Sequence, residues 1–248
     1  PSSAASDVYK RQKLIVINNP HNPTGAIFSP KQVDEIMEIA RDNNVAVLVD
    51  EIYDNFIYDG TPFKSFISFS DWRDYILYVN GFSKTFSMTG WRLGYLVVRE
   101  DVASKLTRLA VNIWSCPVSF AQKAAVTALK GPWEPVKSMI ELFKRRRDLI
   151  VKKLREISGF EVWPSKGAFY IFPRVSNVLK EVGLTVEEFV ENILYNEYVV
   201  TLPGTAFPDK AGKDYIRLSF ATSLENIEEG INRLKKGVER LLSEKGKR

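Results

Sequence analysis

The 248-residue chain is 45% hydrophobic and 26% charged with a net charge of +5, a composition suited to a globular protein of one large or two modest domains. A single Cys and a single His exclude an internal disulfide framework and a Cys/His zinc cluster, and no apolar run is long enough to cross a bilayer. The cytoplasm is the expected compartment. Part of the positive charge is local: Arg145, Arg146, Arg147, Lys152 and Lys153 share one predicted helix, and Lys245, Lys247 and Arg248 form the tail. No aromatic residues alternate with these charges to stack on bases, so they read as a solvated helix face and a frayed end, with no nucleic-acid partner.

Residues 1–12 are polar, rich in small side chains and lack an initiator Met; they read as a linker-like, non-native tail outside the fold. The natural chain is accordingly expected to continue upstream. Leu14 to Ile17, Val45 to Val49 and Tyr75 to Val79 are short and rich in β-branched or aromatic residues, which predicts buried strands. Between the first two, Ser29 and Gln32 frame Pro30 as a capping box, and Val33, Ile36, Met37 and Ala40 recur at helical spacing. A fourth strand, Leu93 to Val98, follows a turn at Gly90 with no helix before it, which permits an antiparallel return. Alternating strands and helix signify an α/β domain.

Helices are predicted over Asp101 to Ile113 and Ser119 to Lys130, the latter with a Ser-x-x-Gln start and Gly131 as its stop. A longer one runs from Glu134 to Ile157, and Gly159 ends it. Strands are then expected near Phe160 to Trp163, Ala168 to Phe172, Val199 to Leu202 and Ile216 to Phe220. A helix capped by Thr185 and Glu188 interrupts them, and a last helix starts at Ser223. The change of character predicts a second, smaller α+β domain. The expected division is 13–131 and 132–248.

In an open, mostly parallel α/β sheet, ligands collect beyond the carboxyl ends of the strands. The first strand runs into Asn18-Asn19-Pro20-His21-Asn22-Pro23-Thr24-Gly25, the second into Asp50-Glu51-Ile52-Tyr53, the third into Asn80-Gly81-Phe82-Ser83-Lys84. A pocket there would collect an amine, a carboxylate, a phenol and an amide. Lys84 is a candidate nucleophile and proton shuttle, and Asp50 can pair with a protonated pyridine nitrogen; these are the two protein groups that pyridoxal phosphate most needs. Tyr53, one turn beyond Asp50, can donate to a ring oxygen, and the prolines on either side of Asn22 stiffen its loop and hold its amide in place for hydrogen bonding. Arg92 can form a bidentate pair with phosphate, and Arg217, in a strand between Ile216 and Leu218, needs an anionic partner such as a substrate carboxylate. Each residue also has an ordinary alternative: a solvated Lys, an N-cap or turn Asp, a core Tyr, a Pro-rich turn or structural salt bridges.

At these residues the chain resembles the fold-type I pyridoxal-phosphate enzymes of the class I/II aminotransferases. The resemblance rests on Asn22-Pro23-Thr24-Gly25, the Asp50 to Tyr53 step, Ser83-Lys84-Thr85-Phe86-Ser87-Met88-Thr89-Gly90-Trp91-Arg92-Leu93-Gly94 and Tyr215-Ile216-Arg217-Leu218-Ser219, in that order. Two further matching segments are Pro164 to Tyr170 and Pro203 to Phe207. It implies an α/β fold: part of a three-layer, mostly parallel large-domain sheet, then the smaller α+β C-terminal domain. It further implies that Lys84 forms the Schiff base, Asp50 pairs with the pyridinium, Tyr53 and Asn22 bond the ring oxygen, and Arg92 holds phosphate. Arg217, with Asn22 beside the substrate, would grip the α-carboxylate of an amino or 2-oxo acid. Many relatives carry a phosphate-binding Ser three positions before the Lys; Gly81 stands there here, so that contact is either lost or supplied by Ser83.

The family's N-terminal arm, phosphate loop and ring-stacking aromatic precede the Asn-Pro-Thr-Gly segment, so the chain is expected to be the C-terminal portion of a longer, homodimeric aminotransferase. Aspartate, aromatic and aliphatic amino acids are all admissible substrates. A lyase or synthase on the same fold, or the ligand-sensing domain of a transcription regulator, are the alternatives.

Overall fold

The computed structural model describes residues 11–245. Most of the linker-like tail, together with Lys247 and Arg248, lies outside the described residues. The chain divides into two compact units: the first takes the chain up to Pro20 and Ile27–Val136, the second His21–Ala26 and the chain from Lys137 onward. The division falls at Val136, whereas the sequence reading placed it after Gly131. His21–Ala26 also group with the second unit, although the sequence reading gave them to the first. The reason is local: the Gly25 carbonyl accepts from the N–H groups of Lys166 and Gly167 at 3.0 and 2.9 Å.

The first unit is built on a four-stranded sheet of β1 (Leu14–Asn18), β2 (Ala46–Asp50), β3 (Ile76–Gly81) and β4 (Gly94–Val97), in that order. The first three are parallel in register Asn18↔Asp50 and Asp50↔Val79, and β4 returns antiparallel, pairing Gly94 with Gly81. Helix α1 (Pro30–Asp42) starts at the expected capping box, with Ser29 Oγ accepting from the Gln32 N–H. Its Val33, Met37 and Ala40 are fully buried with Ile17, Val47, Val49, Phe66, Ile76 and Tyr78. Leu14 and Val16, on the opposite face of β1, are 44% and 68% exposed. The sequence expectation of strands buried on both faces is therefore corrected for β1: alternation puts Ile15 and Ile17 into the core and Leu14 and Val16 outward.

After the single-turn α2 (Trp72–Tyr75) and the sheet come α3 (Glu100–Trp114) and α4 (Ser119–Lys130). The Ser-x-x-Gln capping box expected at α4 does not form. Val118 is the N-cap without a side-chain bond, Ser119 is already helical, and Gln122 Nε2 instead donates to the Pro117 carbonyl at 2.9 Å.

Helix α5 (Glu134–Leu154) begins in the first unit and continues in the second. The second unit then carries β5 (Tyr170–Ile171), α6 (Ser176–Val182), α7 (Val186–Glu197), β6 (Leu202–Pro203), β7 (Ile216–Ser219) and α8 (Leu224–Lys245). Its three strands form an antiparallel sheet in the order β5-β7-β6. The capping box at α7 is present, Thr185 Oγ1 accepting from the Glu188 N–H while Glu188 accepts from the Thr185 N–H. Phe189, Ile193, Ile216, Phe220, Leu234 and Val238 are among its buried apolar residues.

Three expectations need correction here. The strand near Phe160 reduces to one bridge between Glu161 and Arg174, since Pro164 cannot extend a ladder. The strand near Val199 shrinks to Leu202–Pro203, because Tyr198 ends α7 in the left-handed region at φ 57° and leaves Val200 76% exposed. Finally, Arg147 is not on a solvated face. Its side chain is 4% exposed, with Nε and Nη2 on Asp148 Oδ1 at 2.9 and 2.6 Å and Nη1 on the Ser165 carbonyl at 3.3 Å.

Candidate functional site

The parallel register brings the carboxyl ends of β1, β2 and β3 to one edge of the first unit's sheet. Asp50 is the last residue of β2, and its backbone carbonyl accepts from the Asn19 N–H at 3.0 Å and from Asn18 Nδ2 at 3.1 Å. A tight turn follows, closed by Asp54 N–H to Glu51 O and Phe56 N–H to Tyr53 O at 3.0 and 2.8 Å. The turn places Tyr53 in the interior, at 4% exposure.

Lys84 follows β3 by three residues, in a turn held from below. Phe82, Met88 and Leu93 are buried against Ala121 and Ala125 of α4, and Phe86 packs on the same cluster. Small residues on α4 let these aromatics approach the helix closely. Lys84 Nζ stands 5.8 Å from the centroid of the Tyr53 ring, near the outer limit of a cation–π contact.

Asp50 feels the same amine. Burial pushes its carboxyl above the ordinary range, while the Ile52 N–H on Oδ1 at 3.1 Å and the charge of Lys84 pull the other way. The first unit therefore brings Asp50, Tyr53 and Lys84 together, with Ser83 half-buried beside Lys84.

Arg92 reaches this edge by the antiparallel return: with Gly94 opposite Gly81, the residues flanking the turn lie at the same end of the sheet. It has φ 53° at the end of a short 3₁₀ turn, is exposed, and donates from Nη1 to the Thr89 carbonyl at 3.0 Å. A guanidinium carries five N–H donors, so this bond leaves most of the fork for an anion.

The second unit brings together Asn22 and Arg217, 195 residues apart in sequence. Arg217 Nη1 donates to Asn22 Oδ1 at 3.1 Å, and the guanidinium carbon lies 4.4 Å from the Tyr170 ring centroid and 4.8 Å from that of Phe207. Its engaged oxygen turns the Asn22 amide so that the NH₂ end points elsewhere. Gly25 makes the loop possible: at φ +66° it occupies the left-handed region, and a Cβ would fall 2.2 Å from Ser165 Cβ.

Sequence reasoning missed Tyr170 and Phe207 as partners of Arg217, although both stand in segments that the resemblance quoted. Period two along β7 was the available signal for Tyr170, since Arg217 and Ser219 share a face and Tyr170 pairs with Ser219. Also unforeseen was a buried polar cluster behind Asp50. Glu51 is fully buried and accepts from Ser65 Oγ at 2.5 Å and the Phe66 N–H at 2.9 Å. Burial drives its carboxyl up to about 7, against the opposing effect of those hydrogen bonds.

The donor set fits pyridoxal phosphate. An amine, a carboxylate whose burial-raised pKa that amine's charge opposes, a phenol and an exposed guanidinium occur on one sheet edge; among the described residues no group of three or more His, Cys, Asp or Glu is placed to hold a metal ion. Among the same residues no helix is long and apolar enough to cross a membrane.

Comparison with known proteins points the same way. The family described as aminotransferase class I and II matches residues 2–234. An aspartate aminotransferase of Sulfurisphaera tokodaii is 49% identical over 242 residues, which are 98% of this chain and 60% of that protein. An aromatic-amino-acid aminotransferase of Thermococcus litoralis is 41% identical over 92% of this chain and 58% of its own length. The crystal structure of an aromatic aminotransferase from Pyrococcus horikoshii superimposes with a TM-score of 0.87 at 37% identity, covering 97% of this chain and 64% of that one. The chain thus spans about three fifths of the length of the curated relatives it matches. These matches make the chain a member of the class I and II aminotransferase family, whose members use pyridoxal 5'-phosphate and have the same α/β fold.

Proposed function

We propose that the protein to which this chain belongs is a pyridoxal-phosphate-dependent aminotransferase acting between an amino acid and a 2-oxo acid, as a homodimer in the cytoplasm. The observation that carries the reading is the grouping of Lys84, Tyr53 and Asp50 on one sheet edge. When bound, the cofactor supplies an aldehyde that condenses with amines and a protonated ring that takes up electron density.

Lys84 would be the amine held at that aldehyde carbon, and as a free amine it would carry a proton between the substrate Cα and that same cofactor carbon. Asp50 keeps the ring nitrogen protonated: a half-buried carboxylate pairs with a buried cation far better than with water. Tyr53 and the Asn22 amide donate to the ring oxygen, while Arg92 and Ser83 hold the phosphate. Arg217 binds the substrate α-carboxylate through two parallel N–H bonds, and the flanking rings of Tyr170 and Phe207 restrict its plane. Aspartate and aromatic amino acids are the substrate classes that the relatives' names support.

The test is to load the chain with pyridoxal phosphate, reduce it with borohydride and map the added mass by peptide mass spectrometry. The mass is expected on the Lys84 peptide and not in Lys84→Ala. Uniform labelling of surface lysines, unchanged by the substitution, would overturn the reading. Loaded wild-type protein is then given aspartate or an aromatic amino acid, and the corresponding 2-oxo acid is expected as product.

A further inference from the structure

Asn80 is the last side chain before the turn that carries Lys84, at 5% exposure. Its Nδ2 lies within hydrogen-bond distance of three acceptors: Tyr78 Oη at 2.8 Å, Asp54 Oδ2 at 3.0 Å and the Glu51 carbonyl at 3.1 Å. An amide nitrogen has two protons, so they are shared among three acceptors. The other end is also engaged, Oδ1 accepting from the Gly81 N–H at 2.7 Å. One side chain thereby ties the end of β3 to the turn that begins at Asp50.

The tie continues towards Lys84. Asp54 Oδ1 accepts from Asn55 Nδ2 at 2.7 Å, and the same Nδ2 reaches Thr85 Oγ1 at 3.3 Å. Thr85 is 3% exposed and directly follows Lys84. On the far side, Glu51 is anchored to Ser65 and Phe66. A satisfied buried network of this kind fixes geometry, because any displacement strands a polar group away from water.

We propose that Asn80, acting through Asp54, Asn55 and Thr85, is a positioning residue that sets Lys84 against Asp50. It touches neither cofactor nor substrate. Its role is to hold two turns from adjacent strands in one spatial relation, so that the amine's charge acts on the Asp50 carboxylate. The Lys84 charge lowers the Asp50 carboxyl; when the bracket is cut, that influence weakens and burial is left to push it higher. The inference rests on the cofactor reading for its catalytic meaning, but the geometry it describes exists without cofactor.

The experiment follows the Asp50 carboxyl by ¹³C NMR pH titration in the cofactor-free chain, in Asn80→Ala and in Val33→Ala, the last a core truncation at a fully buried site of α1. Lys84 is the cation acting on Asp50, while Glu51, Asp54, Tyr78 and Tyr95 titrate within or beside the bracket and are followed separately. The Asp50 midpoint is expected to rise in Asn80→Ala and to stay in place in Val33→Ala, so general loosening is distinguished from positioning. Asn55→Ala, which cuts only the Asp54 to Thr85 link, is expected to shift it in the same direction and serves if Asn80→Ala does not fold.

With cofactor added, the rate of borohydride-trappable labelling at Lys84 is expected to fall about tenfold in either folded variant, the cost of a misplaced reacting group. An unchanged or lowered Asp50 midpoint in a folded Asn80→Ala or Asn55→Ala protein overturns the proposal. A raised midpoint in a chain whose wild-type Lys84 takes no label leaves the bracket standing and removes the cofactor reading instead.

Discussion

Glu51→Gln separates the charge of a buried acid from its shape. Glu51 is fully buried, and its carboxyl titrates at about 7 against an ordinary 4.5. Because the folded state holds the proton more tightly than the unfolded chain, this group favours folding most at low pH. That contribution is fully present below the unfolded value and is lost as pH rises through about 7. The interval from 4.5 to about 7, at roughly 1.4 kcal/mol per pH unit, amounts to about 3 kcal/mol.

Glutamine keeps an acceptor for the Phe66 N–H and a polar partner for Ser65 without carrying charge. The assay is urea unfolding of both proteins at closely spaced pH values, with the difference in free energy plotted against pH so that other carboxylates cancel. Relative to the variant, wild type is expected to lose about 3 kcal/mol between pH 4 and pH 8. A flat difference, or one in which wild type gains on going to alkaline pH, would refute the reasoning.

Gly25→Ala is expected to cost about 3 kcal/mol or more in urea unfolding, since the left-handed φ is compounded by a Cβ falling 2.2 Å from Ser165 Cβ. Removing the cap of α7 with Thr185→Ala should cost about 1 kcal/mol by the same assay, and no loss would mean that Glu188 caps the helix unaided. Arg217→Lys keeps the positive charge but loses the planar fork; binding of a 2-oxo acid to the loaded protein, followed by calorimetry, is expected to weaken about 10- to 100-fold. Equal affinity would show that charge alone holds the carboxylate.

Several features could be read directly from local sequence. The capping boxes at Ser29 and Thr185 were predicted from four-residue patterns, and both form because every group involved lies within one turn of helix. The failed box at Ser119 shows the limit of such patterns: the preceding Pro117 carbonyl competed for the Gln122 side chain. Arg147 shows another, because a helix sequence says which residues share a face but not what covers that face. Its neighbours Arg145 and Lys152 are exposed as expected, while Arg147 found its acceptor in Ser165.

For the candidate site, the sequence by itself determined which chemical groups are present and that strand ends would carry them, because apolar β-branched runs followed by polar turns are local properties of the chain. Only tertiary structure decided which of them meet. Parallel pairing in one register put Asp50 and the Lys84 turn side by side, and the folded second unit joined Arg217 to Asn22 across 195 residues. It also decided that Glu51 and Asn80, polar residues that look ordinary in the sequence, would be buried and joined by the bond from Asn80 Nδ2 to the Glu51 carbonyl. Burial and long-range partnership depend on the packing of elements distant in the chain, and no local pattern encodes the distance at which two such groups come to rest.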